Sequence, residues 1–297
     1  MTSRAIRRSI QKRILPWYRE HGRHDLPWRA SRDPYRVLVS ELMLQQTQVP
    51  RVIPKYNAFI AEFPTVRRLA VADRAAVLRH WQGLGYNNRA VRLHALARVV
   101  SERLDGVLPQ EYDALRALPG IGPYTAGAIM SFAYDKPAPC VDVNIRRVLS
   151  RIAWRKSERP SQTAIDALAL RAVTQAPSPH DWHSALMDFG SAVCTARSPK
   201  CASCQVRPLC ASKGMRPDEV ASREHARQPS FLGSIRWWRG QILKRVLEEP
   251  RGRAALLRSI RNRPSPAERA RFAQALGALE QEGLLRKRQG RYSVEKS

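Results

Sequence analysis

The sequence predicts an all-α chain that ends in a small, basic α+β unit, and three observations carry that prediction. Apolar residues recur at helical spacing from residue 4 onward, without strand-like alternation. Proline and glycine punctuate the pattern at short intervals, as in LPWR (26–29), RDPY (32–35), GLGYNNRA (83–90) and LPGIGP (118–123). At the C-terminus LLRKR and RYSV flank a QG dipeptide and read as a two-strand hairpin.

Residues 4–20 form the first predicted helix, with Ile6, Ile10, Ile14 and Trp17 on one stripe. Residues 36–48 (RVLVSELMLQQTQ) form a strongly apolar second helix. At helical spacing Glu41 there has Val37, Leu38 and Leu44 as neighbours, with Gln45 and Gln48 on its own side. A carboxyl on that face is partly desolvated, which raises its pKa and suits it to donate a proton near neutrality. A lone glutamate is more commonly solvated at a helix edge, so the reading depends on a second carboxylate. Further helices are expected at about 50–62, 65–71, 73–81, 87–103 and 110–117. Tyr86 and Asn87 sit on a glycine-rich turn, where an aromatic can wedge between bases or simply pack.

The stretch LPGIGPYTAGAIMSFAYDKPAPCVDVN (118–144) supplies that second carboxylate. Pro119, Gly120 and Gly122 make a turn, and Pro123 suits the first position of a new helix. The hairpin amides then face outward at a helix N-terminus, where phosphate oxygen binds without sequence readout. Ala126, Gly127 and Ala128 leave the new helix with a bare flank against which another element can pack closely. Asp142 is placed to cap a helix over 144–152, and the amide bonds it would accept keep a carboxylate ionised. Capping alone is the commoner meaning of such an aspartate. A protonated Glu41 beside an ionised Asp142, however, is the pairing that glycosidic bond cleavage requires.

Length and charge fit that chemistry. The 297 residues suggest two or three domains and a sizeable core. Lys and Arg number 52 against 25 Asp and Glu, a net charge of +27 with pI near 11.1, and the charge is spread along the chain. That balance points to a polyanion, most simply nucleic acid, and not to a disordered basic tail. No apolar run approaches the ~18 residues a bilayer span needs. The basic N-terminus lacks a signal-peptide apolar core; a transit peptide is an alternative to an ordinary basic helix, and an intracellular, cytoplasmic protein is expected. Four of five cysteines cluster as Cys194–x6–Cys201–x2–Cys204–x5–Cys210, while Cys140 stands alone. Four thiolates at such short gaps suit tetrahedral zinc or an iron–sulfur cluster.

Taken together, SELMLQQTQV (40–49), GLGYNNRA, LPGIGPYTAGAI, VDVN (141–144) and the cysteine spacing resemble the helix–hairpin–helix DNA glycosylases of the endonuclease III superfamily, most closely adenine DNA glycosylases of the MutY type. The likeness runs over about residues 14–212. It implies a six-helix domain (26–138) and a helical iron–sulfur cluster domain (1–25 and 139–212). It also implies a [4Fe–4S] cluster on Cys194, Cys201, Cys204 and Cys210, a general acid at Glu41 and a catalytic aspartate at Asp142 assisted by Asn144. DNA contacts are implied at Gln45, Gln46, Tyr86, Gly120, Gly122 and Thr125. The expected partner is double-stranded DNA with a mismatched or damaged base, handled by a monomer that leaves an abasic site. Related bifunctional enzymes place a lysine where Tyr124 stands, so a monofunctional enzyme is expected. Val143 replaces a usual small residue, Asn87 replaces a second tyrosine, and no Nudix-like lesion-reading domain is recognisable.

After a polar linker (213–233), IRWWRGQILKRVLEE (235–249) reads as a helix with Ile235, Trp238, Ile242, Leu243 and Val246 inward. A second helix is expected at 253–261, and Ser265–Pro266–Ala267–Glu268 has the form of a capping box opening a third that runs to Gly283. Three helices and a hairpin resemble a winged helix, a duplex-binding module, against the alternative of a stabilising or partner-binding domain. Two rivals to adenine excision stand: a thymine or uracil glycosylase acting opposite guanine, and a non-catalytic iron–sulfur DNA-binding regulator.

Overall fold

The computed structural model describes residues 3–155, 158, 160–215 and 230–294, with side chains from residue 9. It is helical throughout, apart from a small sheet near the C-terminus. The chain forms two compact units, one of Met1–Glu41 with Leu108–His225 and one of Leu42–Val107 with Ala226–Ser297.

The first unit contains α1 (Ser3–His21), the start of α2 (Pro34–Leu44), α7 (Tyr112–Arg116), α8 (Pro123–Phe132), α9 (Val143–Ala153), α10 (Gln162–Val173) and α11 (Pro179–Ala192). Ile10, Ile14 and Trp17 are buried as their stripe predicts; the side chain of Ile6 lies outside the described residues. They pack with Ile145, Val148, Leu149, Trp182 and Phe189 in one apolar cluster, so α1, α9 and α11 enclose a common core. Side chains cap four helices, Asp33 on α2, Asp142 on α9, Ser161 on α10 and Ser178 on α11, each cap being worth about 1 kcal/mol. The bare flank of α8 serves the expected purpose: a Cβ on Gly127 would lie 2.0 Å from the Pro139 carbonyl oxygen.

The second unit contains the end of α2, then α3 (Val49–Glu62), α4 (Val66–Ala70), α5 (Arg74–Trp81) and α6 (Asn88–Arg103), followed by the C-terminal elements. The second helix stops earlier than its sequence suggests. It ends at Leu44, and residues 45–47 form a turn in which Gln46 has φ 56°. Gln45 and Gln48 therefore do not continue the Glu41 face. Buried Arg89 takes the carbonyls of Leu42 (2.6 Å), Met43 (3.0 Å) and Gln45 (2.6 Å), so the last turn has a partner other than further helix.

At the C-terminus come α12 (Ile235–Glu248), β1 (Arg251–Gly252), α13 (Arg253–Ile260), α14 (Pro266–Gln281), β2 (Leu285–Arg288) and β3 (Arg291–Val294). The expected capping box is present at Ser265 and Glu268. Trp238, Ile242, Leu243 and Val246 are buried against Phe272, Leu276 and Leu279, whereas Ile235 is only half-buried. The hairpin forms, and β1 adds an edge that the sequence does not signal: the sheet order is β1-β3-β2, antiparallel throughout, with Arg251 opposite Tyr292. Helix, strand, two helices and a two-strand wing give the winged-helix order of elements. Residues 216–229, most of the expected linker, lie outside the described residues. Among the described residues no helix is long and apolar enough to cross a membrane.

Candidate active site

Two carboxylates and a tyrosine meet in the first unit. Glu41, on α2, is 6% exposed, and burial pushes its carboxyl up to about 7, with nearby Asp142 adding to the rise. The Tyr124 hydroxyl, from the first turn of α8, donates a hydrogen bond to Glu41 and opposes that rise, as does Arg29 from a distance. Burial and the neighbouring Glu41 raise Tyr124 well above its ordinary value, so it stays a neutral donor.

Asp142 caps α9, accepting from the Ile145 amide at 2.6 Å and from Asn144 Nδ2 at 2.8 Å. The cap was expected to hold this carboxyl low. Burial outweighs the cap, and the net displacement is upward, although the Ile145 and Asn144 bonds and Arg147 all pull against it. Both acids are therefore raised, but only Asp142 has several donors that favour its ionised form.

Asn144 is fixed in turn. Arg147 Nη2 donates to Asn144 Oδ1 and to the Gly190 carbonyl, both at 2.6 Å, and Nε donates to the Cys194 carbonyl at 2.7 Å. Gly190 is obligatory there, because a Cβ would lie 2.7 Å from the Asn144 Cβ. Arg151, one turn on, donates to the Thr195 carbonyl at 2.7 Å. Helix α9 thus carries the aspartate at its start and grips the cysteine loop along its length. Around the 2%-exposed Asp188, Arg29 and the partly exposed Arg23 form a further ion-pair network, with Arg29 Nη1 at 2.6 Å from Asp188 Oδ2. Gly190 and Asp188 carry no local sequence signal, and besides nearby Asn144 the partners of Arg147 are equally distant: these contacts span 43 to 165 residues.

Cys194, Cys201, Cys204 and Cys210 line a single cavity with Phe189, Val193 and Val206. Burial pushes Cys204 up to about 11, and the other three cysteines each add to the rise, so all four are within mutual electrostatic reach. Among the described residues no group of three or more His, Cys, Asp or Glu side chains stands ready to hold a single metal ion. Four thiols around one cavity fit a thiolate-bound cluster. Cys140 is fully buried beside Tyr124 and Glu41.

Of the expected DNA contacts, Gly120 takes φ 82°, as its turn requires, and Gly122 opens α8 without a side-chain cap, facing open space. Thr125 departs from expectation: it is 3% exposed, buried on the inner side of α8, so its hydroxyl is not at the surface. Gln45, Gln46 and Tyr86 belong to the second unit. There Arg89 joins their two turns, donating to the carbonyls of Gln45 at 2.6 Å and Gly85 at 2.9 Å, while its guanidinium lies 5.6 Å from the Tyr86 ring centroid. Tyr86 itself has φ 49° and is 44% exposed.

Residues 39–172 match the HhH-GPD superfamily of base excision DNA repair proteins. An adenine DNA glycosylase from Mycolicibacterium smegmatis is 42% identical over 234 residues, which cover 77% of this chain and 78% of that protein. The chain belongs to the helix–hairpin–helix DNA glycosylases, closest to the MutY type. The human adenine DNA glycosylase is 41% identical, covering 67% of this chain but 38% of that protein. Among solved structures, a thermostable thymine-DNA glycosylase is 32% identical, with a TM-score of 0.64 over 70% of this chain and 96% of its own. Endonuclease III trapped covalently on DNA is 22% identical, with a TM-score of 0.60 over 72% of this chain and 98% of its own, and shares the glycosylase fold. As a member of this family the protein is a DNA glycosylase of base excision repair.

Proposed function

We propose that this glycosylase removes adenine from duplex DNA in which it lies opposite guanine or 8-oxoguanine, leaving an abasic site. The carrying observation is the buried Glu41, its carboxyl raised to about 7 and bonded by Tyr124, beside a carboxylate with its own donors, Asp142. The adenine glycosylase relatives from bacteria and human support the choice of base. A purine extruded from the stack takes a proton from Glu41 as the C1′–N9 bond breaks, and leaves as the neutral base. Asp142 stabilises the resulting sugar cation or bonds to C1′ until water adds there and gives up its proton. Tyr124 offers a hydroxyl where a lyase needs an amine, which supports hydrolysis without strand cleavage.

Cys194, Cys201, Cys204 and Cys210 would hold a [4Fe–4S] cluster, which when bound would fix the 194–210 loop against α9. Arg147 and Arg151 hold that loop from the protein side.

The rival reading, excision of thymine opposite guanine, has a thymine-DNA glycosylase likeness at 32% identity behind it but is not favoured over adenine, whose glycosylases match at 42% and 41%. A panel of duplexes with A, T or U opposite G, 8-oxoguanine or C separates the two. Release of adenine is expected; release of thymine or uracil with adenine retained would overturn the assignment. Purified protein should absorb in the visible blue, and a zinc-only, colourless preparation with full activity would remove the cluster.

A further inference from the structure

Cys140 lies two residues before Asp142 and is fully buried, apart from the four cysteines of the 194–210 loop. One face of α8 brings it to the active site. Tyr124, Gly127 and Ser131 share that face at helical spacing, and the chain leading to Asp142 runs along it in the opposite direction. Ser131 reaches the Ala138 carbonyl at 3.5 Å, and a Cβ built on Gly127 would lie 3.5 Å from the Cys140 Cα. One turn further along the face stands Tyr124. There the Cys140 side chain meets the phenol hydroxyl, while Glu41 and Asp142 act on it through their charge. The bare flank of α8 therefore delivers a thiol to the same hydroxyl that bonds Glu41.

Tyr124 has one hydrogen to give, and both Glu41 and Cys140 are within its reach. A carboxyl oxygen is a strong acceptor and a thiol sulfur a weak one, whereas the thiol hydrogen can bond the phenol oxygen. Burial and the two neighbouring carboxyls raise Cys140 well above its ordinary value, so it keeps that hydrogen. We propose that Cys140 is a positioning residue for the acid: its thiol donates to the Tyr124 oxygen and, as a poor acceptor, leaves the Tyr124 hydrogen to Glu41. Tyr124 then occupies one oxygen of the Glu41 carboxyl. When Glu41 is protonated, its own proton takes the other oxygen, where a departing base can receive it. The inference rests on the proposed reading of Glu41 as the acid. The other charged groups acting on Glu41 are Asp142, at the start of α9, and Arg29, from the turn at Pro27–Arg29, and the test below leaves both in place.

The test is a pH–rate profile of single-turnover base release by the full-length protein. In Cys140→Ser the new hydroxyl accepts well and competes with Glu41 for the Tyr124 hydrogen. Glu41 then holds its proton more tightly, and the falling limb of the profile should move up by about half to one pH unit. Cys140→Thr, which carries the same hydroxyl on a fuller side chain, should move it alike. Cys140→Ala removes the thiol without offering an acceptor and should move the limb less than half as far. In a Tyr124→Phe background, Cys140→Ser should move it no further. An unshifted limb in Cys140→Ser and Cys140→Thr, an equal shift in Cys140→Ala, or a shift that survives Tyr124→Phe would each overturn the proposal. Melting against pH, with each variant compared to its Glu41→Gln counterpart, follows the same proton without any base release. If this melting difference shifts in Cys140→Ser yet no base is excised, the acid role fails and the positioning stands. If adenine is excised with a falling limb that neither readout shows to move, the positioning fails and the function stands.

Discussion

Arg147 lies one helical turn beyond Asn144 and donates to its side-chain oxygen at 2.6 Å. A guanidinium can only donate, so it fixes which end of the Asn144 amide faces it. The other end, Nδ2, is thereby committed to Asp142 at 2.8 Å. Arg147→Ala should free the amide to turn its oxygen towards the aspartate. Loss of one charge-assisted bond at the carboxylate proposed to react is worth about 1.5–3 kcal/mol, or roughly ten- to a hundredfold in single-turnover base release. The check is single-turnover kinetics at saturating enzyme, with duplex affinity measured alongside; an unchanged rate would detach Arg147 from the site.

Glu41 supplies a pH prediction. Its folded pKa of about 7 exceeds its ordinary value, so the folded protein binds this proton more tightly than the unfolded chain does. The penalty for keeping it buried is absent below the unfolded pKa, grows as pH rises from about 4.5, and levels off above about 7. Glu41→Gln should therefore raise thermal stability near pH 8, by up to about 3 kcal/mol, and hardly alter it at pH 4. Base release should vanish in the same variant, and in wild type it should decline as pH rises through 7. A melting series against pH, paired with a pH–rate profile, tests both halves.

Gly127→Ala would thrust a methyl into the Pro139 carbonyl, 2.0 Å away. Both partners are backbone, so α8 and the segment leading to Asp142 must separate. Overpacking of this kind costs about 1–3 kcal/mol, or several degrees in melting temperature. Activity should fall further than stability, because Tyr124 and Asp142 lie on the two elements forced apart; a melt combined with a rate at a permissive temperature distinguishes the two effects.

Arg89→Ala should be among the costliest single changes in the second unit. It leaves the carbonyls of Leu42, Met43, Gln45, Leu84 and Gly85 without their shared donor. A loss of about 3 kcal/mol or more is expected, measurable by denaturant unfolding, and Arg89→Lys should recover little because one ammonium cannot serve that fan of acceptors.

Tyr124 enters only through the family likeness, but the burial of Glu41 and the cap at Asp142 are legible in the sequence because each depends on a local rule: an apolar helical face, an N-cap. The same is true of the capping box at Ser265 and the wing hairpin. What escapes reading is set by distant contact. Arg147 looks like any helical arginine until Gly190 and Cys194 are brought to it, and Arg89 looks like part of a surface turn until six carbonyls converge on it. The early end of α2 at Leu44 and the two-residue strand at Arg251 follow from such partners too. The upward displacement of Asp142 has a related origin, since an N-cap is visible locally and the depth of its burial is not.

Gln46 and Tyr86 both hold left-handed backbone, with φ of 56° and 49°, in a region that side chains other than glycine's occupy at a cost. Glycine would relax each turn, but it would remove the amide and the aromatic ring that the turn displays. Arg89 holds both turns in that shape before any DNA arrives. Encounter should then require little loop ordering, so capture speed would be governed by diffusion and charge, and the strain would already be stored in the free protein as an elastic preload.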